Sequence, residues 1–155
     1  MARAHRDEVD AVDYAGAPQA APAPGVIEAL EAADVILIAP SNPYVSIGPI
    51  LAVAPIRAAL ERREAPCVAV SPLIGGRAVK GPADRMLVRL AGGAGPAHVA
   101  ACYEGLIDVL VVDDADSAEA DAAGVPTVVT RTLMSDAGAA RRLAADTLAA
   151  AGAPA

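Results

Sequence analysis

Among its 155 residues the chain has no phenylalanine and no tryptophan, and three tyrosines are its whole aromatic complement. A core without large rings must close on Leu, Ile, Val and tight Ala contacts. Cysteine is scarce too: Cys67 and Cys102 sit in apolar runs with no CxxC spacing. They read as small buried hydrophobes in a reducing compartment, not as a disulfide framework. Histidine is limited to His5, near the start, and His98, in a helical run. No paired His, no Cys/His cluster and no Ser/His/Asp arrangement supports metallohydrolase or triad chemistry.

Positive charge is also in short supply. Twelve Lys plus Arg against 19 Asp plus Glu give a formal charge of −7. Nonspecific nucleic-acid binding needs clustered Lys and Arg to neutralise phosphates, so no nucleic-acid partner is expected. No run approaches the ~20 apolar residues of a membrane span, and the charged start, Met1 to Glu8, has no apolar stretch behind it. The expectation is a soluble cytoplasmic protein without a membrane partner. Neither G-x-G-x-x-G nor a Walker pattern occurs.

What is present is an alternation of short apolar runs with helical patterns. Asp7 to Tyr14 alternates apolar and acidic residues and suits a short, half-exposed strand, followed by an Ala/Pro-rich linker from Gly16 to Gly25. Buried strands are expected at residues 34–39, 67–70, 108–112 and 126–130. Helices are expected over 26–33, 50–63 (kinked or restarted at Pro55), 83–91, 96–104, 115–123 and 136–150. This order predicts an α/β fold: a Rossmann-like, mainly parallel sheet with helices on both faces, resembling the second half of a larger domain.

Chemistry concentrates just past the strands. Ser71-Pro-Leu-Ile-Gly-Gly-Arg-Ala-Val-Lys-Gly-Pro82 lies between a strand and a helix. Its glycine pair, Gly75 and Gly76, either exposes backbone N–H groups to an anion or simply turns the chain. Lys80 adds a mobile charge and Arg77 a planar fork. Ala39-Pro-Ser-Asn-Pro-Tyr-Val-Ser-Ile-Gly48 follows another strand. Ser41 and Asn42 offer hydroxyl and amide groups to a ligand or form an Asx-type turn. Ser46 either caps the next helix or binds phosphate. In open α/β sheets, ligands bind outside the carboxyl ends of the strands. Asp113 and Asp114 end a third strand as weak Mg²⁺ candidates, with helix capping as the alternative.

These residues carry a resemblance. Residues 39–51, Val70 to Met86, Tyr103 to Asp108 and Thr130 to Met134 are similar in wording to the 2-phospho-L-lactate transferase family of coenzyme F-420 biosynthesis. The resemblance implies transfer of a phospholactyl group, or a phosphoenolpyruvyl group in its actinobacterial branch. The implied donor is a guanosine-diphosphate conjugate. The implied acceptor is the deazaflavin Fo (7,8-didemethyl-8-hydroxy-5-deazariboflavin), with GMP released, Mg²⁺ required and a homodimer as the usual assembly. An Ala-rich, Arg-over-Lys composition leans towards the phosphoenolpyruvyl donor.

By this resemblance, residues 25–151 correspond to the carboxyl-terminal part of the transferase domain, behind a strand and linker over 1–24. The catalytic residues would then lie mainly in a missing amino-terminal half, leaving an incomplete enzyme. Donor and nucleotide contacts would fall to Ser41, Asn42, Ser46, Ser71, Gly75, Gly76, Arg77 and Lys80. The competing reading is a non-catalytic nucleotide- or nucleotide-sugar-binding regulatory module of the same fold.

Overall fold

The computed structural model describes residues 9–152. Its centre is a four-stranded parallel sheet of β1 (Ile36–Ile38), β2 (Cys67–Val70), β5 (Val109–Asp113) and β6 (Thr127–Thr130), in that spatial order. The register pairs Ile36 with Cys67, Val68 with Val109, and Leu110 with Thr127. A two-stranded antiparallel hairpin, β3 (Leu73–Ile74) and β4 (Arg77–Ala78), stands on the end of β2. The helices are α1 (Val26–Glu31), α2 (Gly48–Leu51), α3 (Ala54–Arg62), α4 (Ala83–Ala91), α5 (Pro96–Ala101) and α6 (Ala137–Ala150).

The sheet is covered unequally. Side chains alternate across a strand, so β2 and β5 each feed two cores. Ile36, Ile38, Cys67, Ala69, Leu110 and Val112 join the larger core with Leu60 of α3, Leu87 of α4 and Val99 of α5. Tyr103 is buried there and is the largest fully buried side chain. Val68, Val70 and Val111 form the smaller core with Leu143 of α6. Leu37, whose register partner is Val68, stays about half exposed.

Most expected elements stand within a few residues of their predicted places, and the differences have local causes. Residues 9–14 form no strand, while residues 7 and 8 of that prediction lie outside the described residues. The expected linker contains one 3-10 turn, Ala17–Gln19. Pro55 restarts a helix rather than kinking one: it occupies the first turn of α3, where its missing N–H costs nothing. The helix expected at 115–123 is a 3-10 stretch, Asp114–Ala123. Three aspartates and a serine, poor helix formers, fall within it. The loop after β2 contains the hairpin, turned by Gly75 and Gly76 with φ of 58° and 69°. Two positive φ values in a two-residue loop give a type I′ turn, whose twist matches the strands it joins.

Candidate functional site

Parallel strands bring their carboxyl ends to one edge, and there the structure opens a cleft of about 510 Å³. Its walls are the chain after β1 (Ser41, Asn42, Val45, Ser46), the start and exit of the hairpin (Ser71, Val79, Lys80) and the chain after β6 (Thr132, Leu133, Met134). Five of the eight expected binding residues line it: Ser41, Asn42, Ser46, Ser71 and Lys80. Gly76 and Arg77 instead line a separate cleft of about 590 Å³ together with Arg85, Met86 and Arg89 of α4. The hairpin places Arg77 and Lys80 in different clefts.

Lining a cleft is not the same as being free to bind. Asn42 Oδ1 accepts the amides of Tyr44 at 2.9 Å and Val45 at 3.3 Å, and its Nδ2 approaches Met86 Sδ at 3.4 Å. It caps the π-helical turn Pro43–Ile47, so the Asx-turn alternative describes it. Ser71 is 3% exposed, and its Oγ accepts the amide of Leu73 at 3.2 Å. By contrast, Ser41 Oγ, Ser46 Oγ and Lys80 Nζ have no hydrogen-bonding partner among the described residues. Lys80 is the chain's single lysine. The cleft therefore offers one ammonium and two hydroxyls from flanking walls.

The expectation that the Gly75 and Gly76 amides receive an external anion needs correction. Gly75 N donates to Asp116 Oδ2 at 3.1 Å, and Gly76 N donates to Asp116 Oδ1 at 2.7 Å. The turn does present two N–H groups to an anion, and that anion is the chain's own carboxylate. Asp116 is buried and lies in the 3-10 stretch after β5. Its signal in the sequence was the third acid of the run Asp113-Asp-Ala-Asp116, read there only for its first two.

Asp113 is corrected as a metal candidate in the same way. Asp113 Oδ1 accepts the amide of Ala115 at 3.0 Å, while Oδ2 accepts the Thr132 amide at 2.8 Å and its hydroxyl at 3.0 Å. Burial opposes its charge, but these three hydrogen bonds outweigh burial and hold the carboxyl below its usual value. The residue caps the 3-10 stretch and ties the chain after β6 to the sheet. Asp114 is exposed. No group of three or more His, Cys, Asp or Glu among the described residues could hold a metal ion.

The apolar side of the cleft was not anticipated. Val45, Val79, Leu133 and Met134 come from three chain segments, and each is about half exposed. Single exposed apolar residues are ordinary, but four around one cationic cleft favour a ligand with both an anionic and an apolar part. The available signal was the apolar pair Leu133-Met134 just past a strand end, where polar loop residues are usual. No single helix among the described residues is long and apolar enough to cross a membrane.

The family profile of 2-phospho-L-lactate transferase CofD matches residues 2–149. A phosphoenolpyruvate transferase of Kitasatospora aureofaciens is 45% identical over 146 residues, covering 92% of this chain and 46% of the relative. The phosphoenolpyruvate transferase of Mycolicibacterium smegmatis is 41% identical over 128 residues, 79% of this chain and 38% of the relative. A 2-phospho-L-lactate transferase of Methanococcoides burtonii is 40% identical over 130 residues, 82% of this chain and 42% of the relative. The chain thus spans about half the length of the curated relatives it matches or less. With nearly all of its residues inside the family match, the chain belongs to the 2-phospho-L-lactate transferase CofD family.

Proposed function

We propose that this chain supplies the donor-phosphate side of a site that transfers a phosphoenolpyruvyl or phospholactyl group. The donor is a guanosine-diphosphate conjugate, the acceptor is the deazaflavin Fo, and GMP is released on the path to coenzyme F-420. The observation that carries this reading is the cleft at the strand ends, where Lys80, Ser41 and Ser46 stand without partners among the described residues. An ammonium and two hydroxyls suit a diphosphate, and the rim of Val79, Leu133 and Met134 suits a ring attached to it or stacked near it. The several relatives named for phosphoenolpyruvate favour that donor.

In the reaction, the acceptor hydroxyl attacks the phosphorus nearest the three-carbon acid. The new phosphoester forms as the diphosphate P–O bond breaks and GMP leaves. Such a transfer depends on position and charge more than on covalent help from the protein. Lys80 would offset the charge that grows on the leaving phosphate. Ser41 and Ser46 would fix the phosphate oxygens. No group of three or more His, Cys, Asp or Glu among the described residues could hold a metal ion, so the Mg²⁺ that the family resemblance implies would rest on one or two carboxylates and the donor's own phosphate oxygens. A homodimer is proposed on the resemblance alone.

The test is direct. The chain is incubated with the phosphoenolpyruvyl guanosine-diphosphate conjugate and Fo, alone and with a polypeptide covering the relatives' remaining length. GMP and the phosphodiester product are followed by mass spectrometry. Product in either arrangement, lost in Lys80→Ala, supports the reading. No product in both arrangements overturns it.

A further inference from the structure

The wall of the cleft that carries Ser46 is a π-helical turn, Pro43–Ile47, with Ser41 just ahead of it. Such turns are rare and rely on their surroundings. In this one the amides of Ser46 and Ile47 both donate to Asn42 O, at 3.0 and 3.1 Å, and the Gly48 amide donates to Pro43 O. From within the fold it is held by the Asn42 side chain. From outside it is held by a residue of the segment before α1: Tyr14 Oη donates to Tyr44 O at 2.6 Å. The Tyr14 ring end also fills the space beside Gly48, where a Cβ would lie 1.9 Å from Oη. The same segment is tied to α4 by an ion pair between Asp10 and Arg89. Residues 10–14 thus form a strap from α4 to the turn, anchored at both ends.

We propose that Tyr14 is a positioning residue for the cleft. It does not line the cleft, yet it fixes the turn on which Ser46 is presented. Without its hydroxyl the Tyr44 carbonyl loses its partner, and the turn is free to rewind towards ordinary α-helical hydrogen bonding. Ser46, at the heart of the turn, would then leave its place opposite Lys80. This role rests on the donor-phosphate reading of the cleft for its effect on binding, but not for its effect on the turn.

Two readouts keep those apart. Amide hydrogen exchange of the full chain follows Ser46 and Ile47 against the sheet amides of Val68 and Leu110. Calorimetry follows GDP. In Tyr14→Phe, exchange at Ser46 and Ile47 should rise and GDP affinity should fall, each by about fivefold, the worth of one neutral hydrogen bond. The sheet amides should not change. Gly48→Ala, which pushes the ring away and also crowds Pro43 O, should loosen the same two amides. Unchanged exchange at Ser46 and Ile47 in Tyr14→Phe, or a rise shared equally by the sheet, overturns the proposal. If the wild-type chain binds no GDP, the donor reading fails, while the exchange result still decides whether Tyr14 holds the turn.

Discussion

Asp116 Oδ1 accepts the amide of Gly76 at 2.7 Å, across 40 residues of chain. With the second bond, from Gly75 to Oδ2, one buried carboxylate holds the whole tip of the hairpin. The arm that leaves this tip carries Arg77 to one cleft and Lys80 to the other. A charged residue that looks idle in sequence therefore sets where both cations stand.

Replacing Asp116 with Asn puts an NH2 donor against an N–H donor. Asp116→Asn should destabilise the chain by about 1–3 kcal/mol, the cost of a buried group left unpaired. Urea unfolding measures this directly. Stability within a few tenths of a kcal/mol of wild type would mean the clamp is not holding the hairpin.

The three hydrogen bonds into Asp113 hold its carboxyl below its ordinary value of 3.8. A group with a depressed folded pKa contributes stability that is fully present above its unfolded value and lost as pH falls through the folded one. Asp108 acts in the same direction. Burial opposes its charge, but the Cys67 amide and the Arg63 guanidinium outweigh that. Stability should therefore be flat from neutral pH to about 4 and fall below it. In Asp113→Asn the low-pH fall should be shallower and the neutral-pH stability lower. An identical pH profile for wild type and variant would remove Asp113 from the acid response.

Arg77 and Lys80 are three residues apart and serve different clefts. Arg77→Ala should therefore leave GDP affinity within about twofold of wild type, as expected for a charge outside the contact shell and screened by solvent. A loss as large as that of a direct phosphate contact would place the donor in the cleft beside α4 instead.

The apolar rim makes a separate prediction. Leu133 is about half exposed, so Leu133→Ser should cost little stability. It should weaken a ring-bearing ligand but not inorganic pyrophosphate. Competitive titration of GDP against pyrophosphate reads the difference. Equal losses for both ligands would mean that the rim does not contact a ring.

Much of the sheet was legible because its strands are short apolar runs ended by polar residues. Val109 to Asp113 stands one residue past the expected 108–112, and Thr127 to Thr130 lies inside the expected 126–130. The strand ends pointed to the right edge of the sheet, and Ser41, Ser46 and Lys80 do meet there. Which polar groups remained free was not legible. Asn42, Ser71 and the Gly75–Gly76 amides carry the right chemistry, but the fold satisfies them from within. Their partners lie in the next turn for Asn42 and Ser71, and 41 residues away for Gly75. The hairpin and the Tyr14 strap escaped for a related reason: two-residue strands and single long-range hydrogen bonds leave no periodic trace. The supposed strand before Tyr14 shows the converse, an alternating pattern with no neighbouring strand to pair with in the described residues.

The central claim is that the diphosphate lies against Lys80 at the ends of the parallel strands. Calorimetric titration of the chain with GDP, in Mg²⁺-containing buffer, should give saturable binding. Lys80→Ala should lower the affinity at least tenfold, about 1.4 kcal/mol, with an unchanged melting temperature. Equal affinity in wild type and Lys80→Ala, or no binding by the folded wild-type chain, would contradict it.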